Sequence, residues 1–306
     1  MWEIISDTAG YLGLFFFGIH FMSSQIYGSF GQALKNILSR VAGRPWSAGL
    51  SGCLVTAIVQ SSSLTSVMVV GLVNAKAMSL NQAIAVIIGA NVGTTMTAQL
   101  LTLNLYMLAL PVIGLAAPLY ILPFRRIRPV AGAITGFGLI MFGLEGMAQS
   151  LAPLNEAQFM NGILAAAGQS PWQGLGGGFA ATVILQSSSV VMGLILSLAM
   201  ENMISLPAAA AILIGADLGT CTTALMASLG MGRTARYAAW SHFIFNLVSL
   251  ILALIFFQSL LWLASVTSDA LPRQLANFHS LYNLLGVLIL LPLSPLLACL
   301  FERGKG

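Results

Sequence analysis

The chain is built from two copies of one unit. Shifting the 306-residue sequence by 126 residues superimposes 45–98 on 171–224 without a gap, with 21 identities in 54 positions. Pro45-Trp46 meets Pro171-Trp172, and Gln60-Ser61-Ser62-Ser63 meets Gln186-Ser187-Ser188-Ser189. Gly89-Ala90-Asn91-Val92-Gly93-Thr94 meets Gly215-Ala216-Asp217-Leu218-Gly219-Thr220, and Thr97-Ala98 meets Thr223-Ala224. One residue out of that register, Gly13 to Met22 matches Gly138 to Met147. A repeat of this kind constrains the fold before any local feature does, because both copies must form the same unit. Coincidence between apolar stretches is a poor explanation, since many matches are polar residues where Leu and Ala would be the default.

The solvent follows from composition. Hydrophobic residues make up 58% of the chain and charged residues 7%, against about 25% charged in soluble domains. Stretches 9–30, 103–124, 238–264 and 279–301 are long enough to cross a bilayer core, which takes about 20 apolar residues. The reading is an all-α polytopic membrane protein, which excludes disorder, a disulfide scaffold and nucleic-acid binding. Cys53, Cys221 and Cys299 lie in apolar stretches without metal or redox spacing. The N-terminal Met1-Trp2-Glu3 lacks the basic start of a cleavable signal, so 9–30 reads as a retained span.

Each copy then contains something too short to cross. Residues 46–60 make a helix of about 22 Å and 64–75 one of about 18 Å, against a core of about 30 Å. The predicted unit is a re-entrant helical hairpin, 46–75 in the first copy and 172–200 in the second, with Gln-Ser-Ser-Ser at the tip. Charge placement supports this over one long span. With crossings at 9–30, 82–100, 103–124, 129–150, 206–228, 238–264 and 279–301 and the N-terminus outside, 11 Lys and Arg fall on the cytoplasmic side and Arg273 alone outside. The first unit crosses three times, so the copies have inverted topology, as in many secondary transporters. The expected divisions are 1–128 (first repeat), 129–264 (second repeat) and 265–306 (a C-terminal transmembrane helix).

Two polar tips in an apolar chain must face protein, water or a ligand. Each offers hydroxyls, an amide and the free N–H groups of a starting helix, a combination that holds a small oxyanion without a cationic side chain. The spans carry no Arg or Lys to neutralise that anion, which points to a co-bound metal cation. The Gly-Ala-(Asn91/Asp217)-x-Gly-Thr segments suit one. Glycines permit an unwound turn, predicting a broken transmembrane helix in each repeat, and carbonyl, Asn, Asp and Thr oxygens are hard ligands that fit Na+. Thr94 and Thr97, like Thr220 and Thr223, share a helix face. Asp217 and Glu145 are the acidic residues placed within spans, Glu145 aligning with His20. His242/Asn246 and His279/Asn283 repeat a His-x-x-x-Asn spacing that puts both side chains on one face, either lining a pathway or, the favoured reading, hydrogen-bonding between scaffold helices. Residues 31–44 read as a basic interfacial helix, with a counterpart at 157–169 lacking those charges.

These motifs resemble the type II sodium-dependent phosphate cotransporters and their bacterial relatives. The duplicated Gln-Ser-Ser-Ser, the two Gly-Ala-(Asn/Asp)-x-Gly-Thr segments and the Arg-x-x-Ala-x-x-x-His-x-x-x-Asn stretch ending at Asn246 carry the resemblance over nearly the whole chain. It implies symport of inorganic phosphate with Na+ into the cell by alternating access, with an elevator-like movement of the hairpins, in a bacterial inner membrane with the C-terminus cytoplasmic. By the resemblance, Gln60, Ser61, Ser62, Ser63, Gln186, Ser187, Ser188 and Ser189 hold phosphate. Gln60, Asn91, Thr94, Thr97, Gln186, Asp217, Thr220 and Thr223 hold sodium. Asp217 and Cys221 depart from the Asn91 and Thr95 of the other copy. Many bacterial relatives also carry a PhoU-like regulatory domain, so here a separate PhoU-like protein would supply it; a homodimer is a further partner the resemblance admits. Two alternatives differ in class or coupling. Gly49-Leu50-Ser51-Gly52 resembles the rhomboid serine-protease motif, and Asp217 suits a proton-coupled or exporting oxyanion transporter.

Overall fold

The computed structural model describes residues 1–40, 44–122, 126–156 and 171–303. The 157–169 segment, Arg125 and Lys305 lie outside them. The described chain is helical: α1 Trp2–Ser39, α2 Pro45–Val59, α3 Ser62–Asn74, α4 Leu80–Leu101, α5 Ala109–Ile121, α6 Arg128–Leu151, α7 Pro171–Leu185, α8 Ser188–Met200, α9 Leu206–Gly219, α10 Cys221–Ala227, α11 Arg233–Ile255, α12 Phe257–Ser265, α13 Leu271–Leu290 and α14 Ser294–Arg303, with 3₁₀ turns at Tyr106–Leu108 and Ala152–Glu156. Among these residues five helices are long and apolar enough to span a membrane, six if the α13–α14 pair counts as one span. The protein is a multi-pass membrane protein.

The two hairpins form where the repeated motif places them. Thr56 Oγ1 donates to Thr65 Oγ1 at 3.0 Å, whereas nine residues along a straight helix would separate them by about 13.5 Å. The chain therefore reverses between α2 and α3. Gln60 makes the turn in the left-handed region at φ 59°, and Gln186 does the same at φ 54°. A second left-handed pair, Lys76 and Asn202, ends the second arms. Both pairs are 126 residues apart, so the duplication is written in backbone conformation as well as in sequence. Ser79 and Ser205, another equivalent pair, cap α4 and α9 by accepting from Gln82 N–H and Ala208 N–H.

In each repeat the first hairpin arm lies directly against the helix that follows the hairpin. A Cβ on Gly52 would stand 2.0 Å from the Val86 carbonyl oxygen, and one on Gly89 1.8 Å from that of Gly49. In the second repeat Gly178 meets Ile212 O at 1.9 Å and Gly215 meets Leu175 O at 2.0 Å. Only glycine admits backbones this close, the packing route open to membrane helices that cannot use the hydrophobic effect. Two large buried apolar clusters result, beside a small third one at Leu151, Leu154 and Met203. One joins α2, α3 and α4 to α11 and the end of α1; the other joins α8 and α9 to α6, α13 and the middle of α1.

Five expectations need correction. The first repeat has no broken helix, because α4 runs unbroken through Gly89–Thr94; Gly89 and Gly93 there serve close packing on α2. In the second repeat α9 and α10 meet at Thr220, whose backbone stays helical at φ -62° and ψ -23° within one 22-residue span, Leu206–Ala227. The stretch 31–44 is not a separate helix, since α1 continues to Ser39 over 38 residues, about 57 Å. Residues 103–124 hold a 3₁₀ turn and the 13-residue α5, with Leu122 extended before Pro123. The stretch 238–264 divides at Phe256. The 279–301 stretch bends by 61° between α13 and α14, where Pro292 and Pro295 cannot continue a helix.

Candidate functional site

Ser61 and Ser187 sit just after the left-handed glutamines in extended conformation and are the N-caps of α3 and α8. Ser61 Oγ accepts from the Leu64 N–H at 3.3 Å, as a capping hydroxyl should. Gln60 and Gln186 turn back on their own arms, their Nε2 atoms donating to the carbonyls of Ala57 and Val183. The remaining oxygen of Gln186 accepts from Thr223 Oγ1 at 3.2 Å, tying the second tip to α10.

The tips of the two repeats open on one cavity of about 400 Å³. Ser61 and Ser63 contribute from the first repeat; Gln186, Ser187 and Thr223 contribute from the second. The opposite wall is α1, with His20, Ser23, Ser24 and Tyr27. Among the described residues no Lys or Arg lines it. Ser23 also donates to Val59 O at 2.9 Å, fixing the first tip to α1. The serines and tyrosine of α1 escaped sequence reading, since a hydroxyl every few residues looks like helix packing. The signal available was the alternation of Ser23, Ser24 and Tyr27 with His20 on a single apolar helix.

Ser188 and Ser189 face elsewhere. With Thr94, Thr97 and Met192, and with His279 from α13, they line a small chamber of about 10 Å³, room for one water-sized particle. Thr97 Oγ1 and His279 Nδ1 are buried without a hydrogen-bond partner. Thr94 Oγ1 donates to Ala90 O at 3.2 Å and keeps its lone pairs. The chamber brings threonines of repeat one to serines of repeat two.

The other expected ion residues are held in a different way. Asn91 Nδ2 donates to Asn246 Oδ1 at 2.9 Å, and Asn246 Nδ2 donates to Cys221 Sγ at 3.1 Å. Asp217 Oδ2 receives His279 Nε2 at 3.0 Å, Asn283 Nδ2 at 3.2 Å and the Tyr282 hydroxyl. Thr220 Oγ1 donates to the Asp217 carbonyl. The structure thus gives the two His-x-x-x-Asn motifs matching tasks. One engages position 91 of the first repeat and the other engages position 217, its equivalent in the second. Gln60 and Ser62 are buried and line neither space. Glu145 accepts from Gln149 Nε2 at 3.3 Å on its own helix. Ser51 Oγ donates to Ala48 O at 2.8 Å within α2, so the rhomboid-like motif is occupied in helix packing.

Two re-entrant hairpins whose serine-bearing tips meet at one shared cavity, inside an otherwise apolar helical chain, define a transporter-type membrane protein. The comparison with known families is specific. The Na+/Pi-cotransporter family matches residues 14–149 and again 147–290, and the chain belongs to that family. It is similar to a protein of Bacillus subtilis (strain 168) named "Uncharacterized protein YqeW", 30% identical over 295 residues that cover 96% of this chain and 95% of the relative. YjbB of Salmonella typhimurium, provisionally named for inorganic phosphate export, is 29% identical over 95% of this chain, which spans 54% of that relative. The human "Sodium-dependent phosphate transport protein 2B" is 35% identical over 98 residues, 31% of this chain and 14% of the relative. No solved structure matches the chain significantly.

Proposed function

We propose that the protein moves inorganic phosphate across the cytoplasmic membrane in symport with Na+. The observation that carries this reading is the 400 Å³ cavity, into which Ser61, Ser63, Gln186 and Ser187 of both repeats open with no Lys or Arg among the described lining residues. Phosphate there is held by hydroxyls, by the Gln186 amide and by N–H groups at the α3 and α8 N-termini, where the helix dipoles favour an anion. Na+ supplies the balancing charge from the Thr94/Thr97/Ser188/Ser189 chamber and from the Thr223–Gln186 contact. Anion and cation in one low-dielectric region attract strongly, which makes their binding mutually reinforcing. Asn91, Asp217 and Thr220 support the ion sites from behind.

The lysine and arginine distribution supports inverted repeats at 1–128 and 129–264, a final 265–306 segment, the N-terminus outside and the C-terminus in the cytoplasm. Alternating access then moves the hairpins against the remaining helices, and the inward sodium gradient drives import. Export is the second reading, favoured by the name of YjbB, a relative that matches nearly the whole chain.

The test is radiolabelled phosphate flux in proteoliposomes under Na+, K+ or H+ gradients in each direction. Uptake driven by Na+ alone, competed by arsenate and not by sulfate, is the expected result. Flux driven by H+ would replace sodium coupling with proton coupling. Absence of phosphate flux from folded protein under every gradient would overturn the reading.

A further inference from the structure

His279 lies outside the 45–98 and 171–224 stretches that superimpose. It comes from α13, yet its ring is part of the wall of the chamber built by Thr94, Thr97, Ser188 and Ser189. The ring is 2% exposed and has two different neighbours. Nε2 lies 3.0 Å from Asp217 Oδ2, while Nδ1 is buried and without a partner. The carboxylate fixes the tautomer: with the proton on Nε2, Nδ1 presents a lone pair. Thr97 Oγ1, 6% exposed, is the second buried group there without a partner. Asp217 itself is not in the chamber wall.

Resting on the reading that Na+ occupies this chamber, we propose that His279 is a wall group for the ion and that Asp217 acts on it through the ring. The arrangement has the logic of a ligating histidine whose far nitrogen donates to a carboxylate, which orients the ring and raises the basicity of the near nitrogen. Asp217 then contributes its negative charge without occupying a coordination position. The equivalent residue, Asn91, hydrogen-bonds Asn246 and carries no charge. The two repeats therefore differ in electrostatics at one equivalent position, and the chamber lies on the charged side. Tyr282 and Asn283 share Asp217 Oδ2 with the ring and hold the carboxylate in place.

The experiment measures the Na+ concentration that half-saturates phosphate flux in proteoliposomes of the full chain. His279→Gln and Asp217→Asn are each expected to raise it by about tenfold or more, the scale of losing an outer partner at a metal site. Because Asp217 acts through the ring, the double variant should be no worse than His279→Gln alone. Tyr282→Phe removes a different partner of the same oxygen and should shift it far less. Phosphate half-saturation at high Na+ should hold steady. Multiplying single effects would make Asp217 an independent ligand and overturn the proposal, as would a Tyr282→Phe loss equal to that of His279→Gln. Should the His279 variants not fold, Thr97→Val carries the test. It should raise the sodium requirement and multiply with Asp217→Asn, and an unchanged requirement would remove the chamber. Sodium-dependent flux with normal His279→Gln behaviour sinks this inference alone; flux indifferent to sodium sinks the proposed function with it.

Discussion

Gly52→Ala is the most direct probe of how the hairpins are held. The new methyl would lie 2.0 Å from Val86 O, 2.8 Å from its carbonyl carbon and 3.0 Å from its Cα. Ordinary contact begins near 3.4 Å, so α2 and α4 must part by roughly 1.4 Å, and backbone atoms cannot rotate aside. A gap of that size forfeits at least half of the dispersion energy along the contact. Overpacking costs about 1–3 kcal/mol, and three backbone contacts place this site near the top of that range. Alanine returns about 1 kcal/mol of helix propensity, leaving a net loss of about 2 kcal/mol. Gly71→Ala in α3 is the matched control, since a Cβ there meets nothing within 4 Å and propensity alone should act. Thermal unfolding in detergent, followed by circular dichroism, should show Gly52→Ala melting below the wild type and Gly71→Ala at or above it. Gly178→Ala, at 1.9 Å from Ile212 O, should behave as Gly52→Ala does. A Gly52→Ala protein that melts with the wild type would refute the close-packed seam.

Other substitutions test the remaining contacts. In the second hairpin Val191 stands where Thr65 stands in the first, and Thr182 Oγ1 is buried without a partner; Val191→Thr should rebuild the tip bond and gain about 1 kcal/mol in the same melts. Gln60→Gly should relieve a left-handed residue and raise the melting temperature with little change in phosphate flux, because the Gln60 amide is turned onto Ala57 O and lines neither the cavity nor the chamber. Asn246→Leu leaves Asn91 Nδ2 buried without its acceptor and should cost about 1–3 kcal/mol. Arg273 Nη1 donates to Gln99 O at 3.3 Å and Thr102 Oγ1 at 3.0 Å at the end of α4; Arg273→Gln should lower the melting temperature, and more so at low salt.

The hairpins were readable because Gln-Ser-Ser-Ser twice interrupts stretches too short to cross, and the arms fall at Pro45–Val59 and Ser62–Asn74 within a residue or two of expectation. Glycine was the ambiguous letter. Gly89 and Gly93 permit either an unwound turn or close contact, and only the presence of α2 alongside decides for contact. The break at Phe256 left no trace, since neither Gly nor Pro stands there. At the site, the tip serines announced themselves by repetition, whereas their separation into a cavity and a chamber depends on which face of α8 each residue occupies. His279 was visible as half of a His-x-x-x-Asn spacing, but its carboxylate partner lies 62 residues away. No local pattern encodes that pairing.

The glycine seams have a mechanical consequence. Along α2 and α4, the carbonyl of Val86 occupies the space a side chain would need, and the carbonyl of Gly49 does the same opposite Gly89. A slide of one helical turn would bring Ala48 or Thr56 to the place of Gly52, and neither fits. The seam thus permits no shear, and α7 with α9 is locked in the same way. Each first arm travels with its partner helix as a stiff wedge. The second arms, α3 and α8, have no such seam: Gly71 stands in open space and Gly193 faces the Phe15 ring rather than a backbone, so the serine-bearing arms are held by side-chain packing.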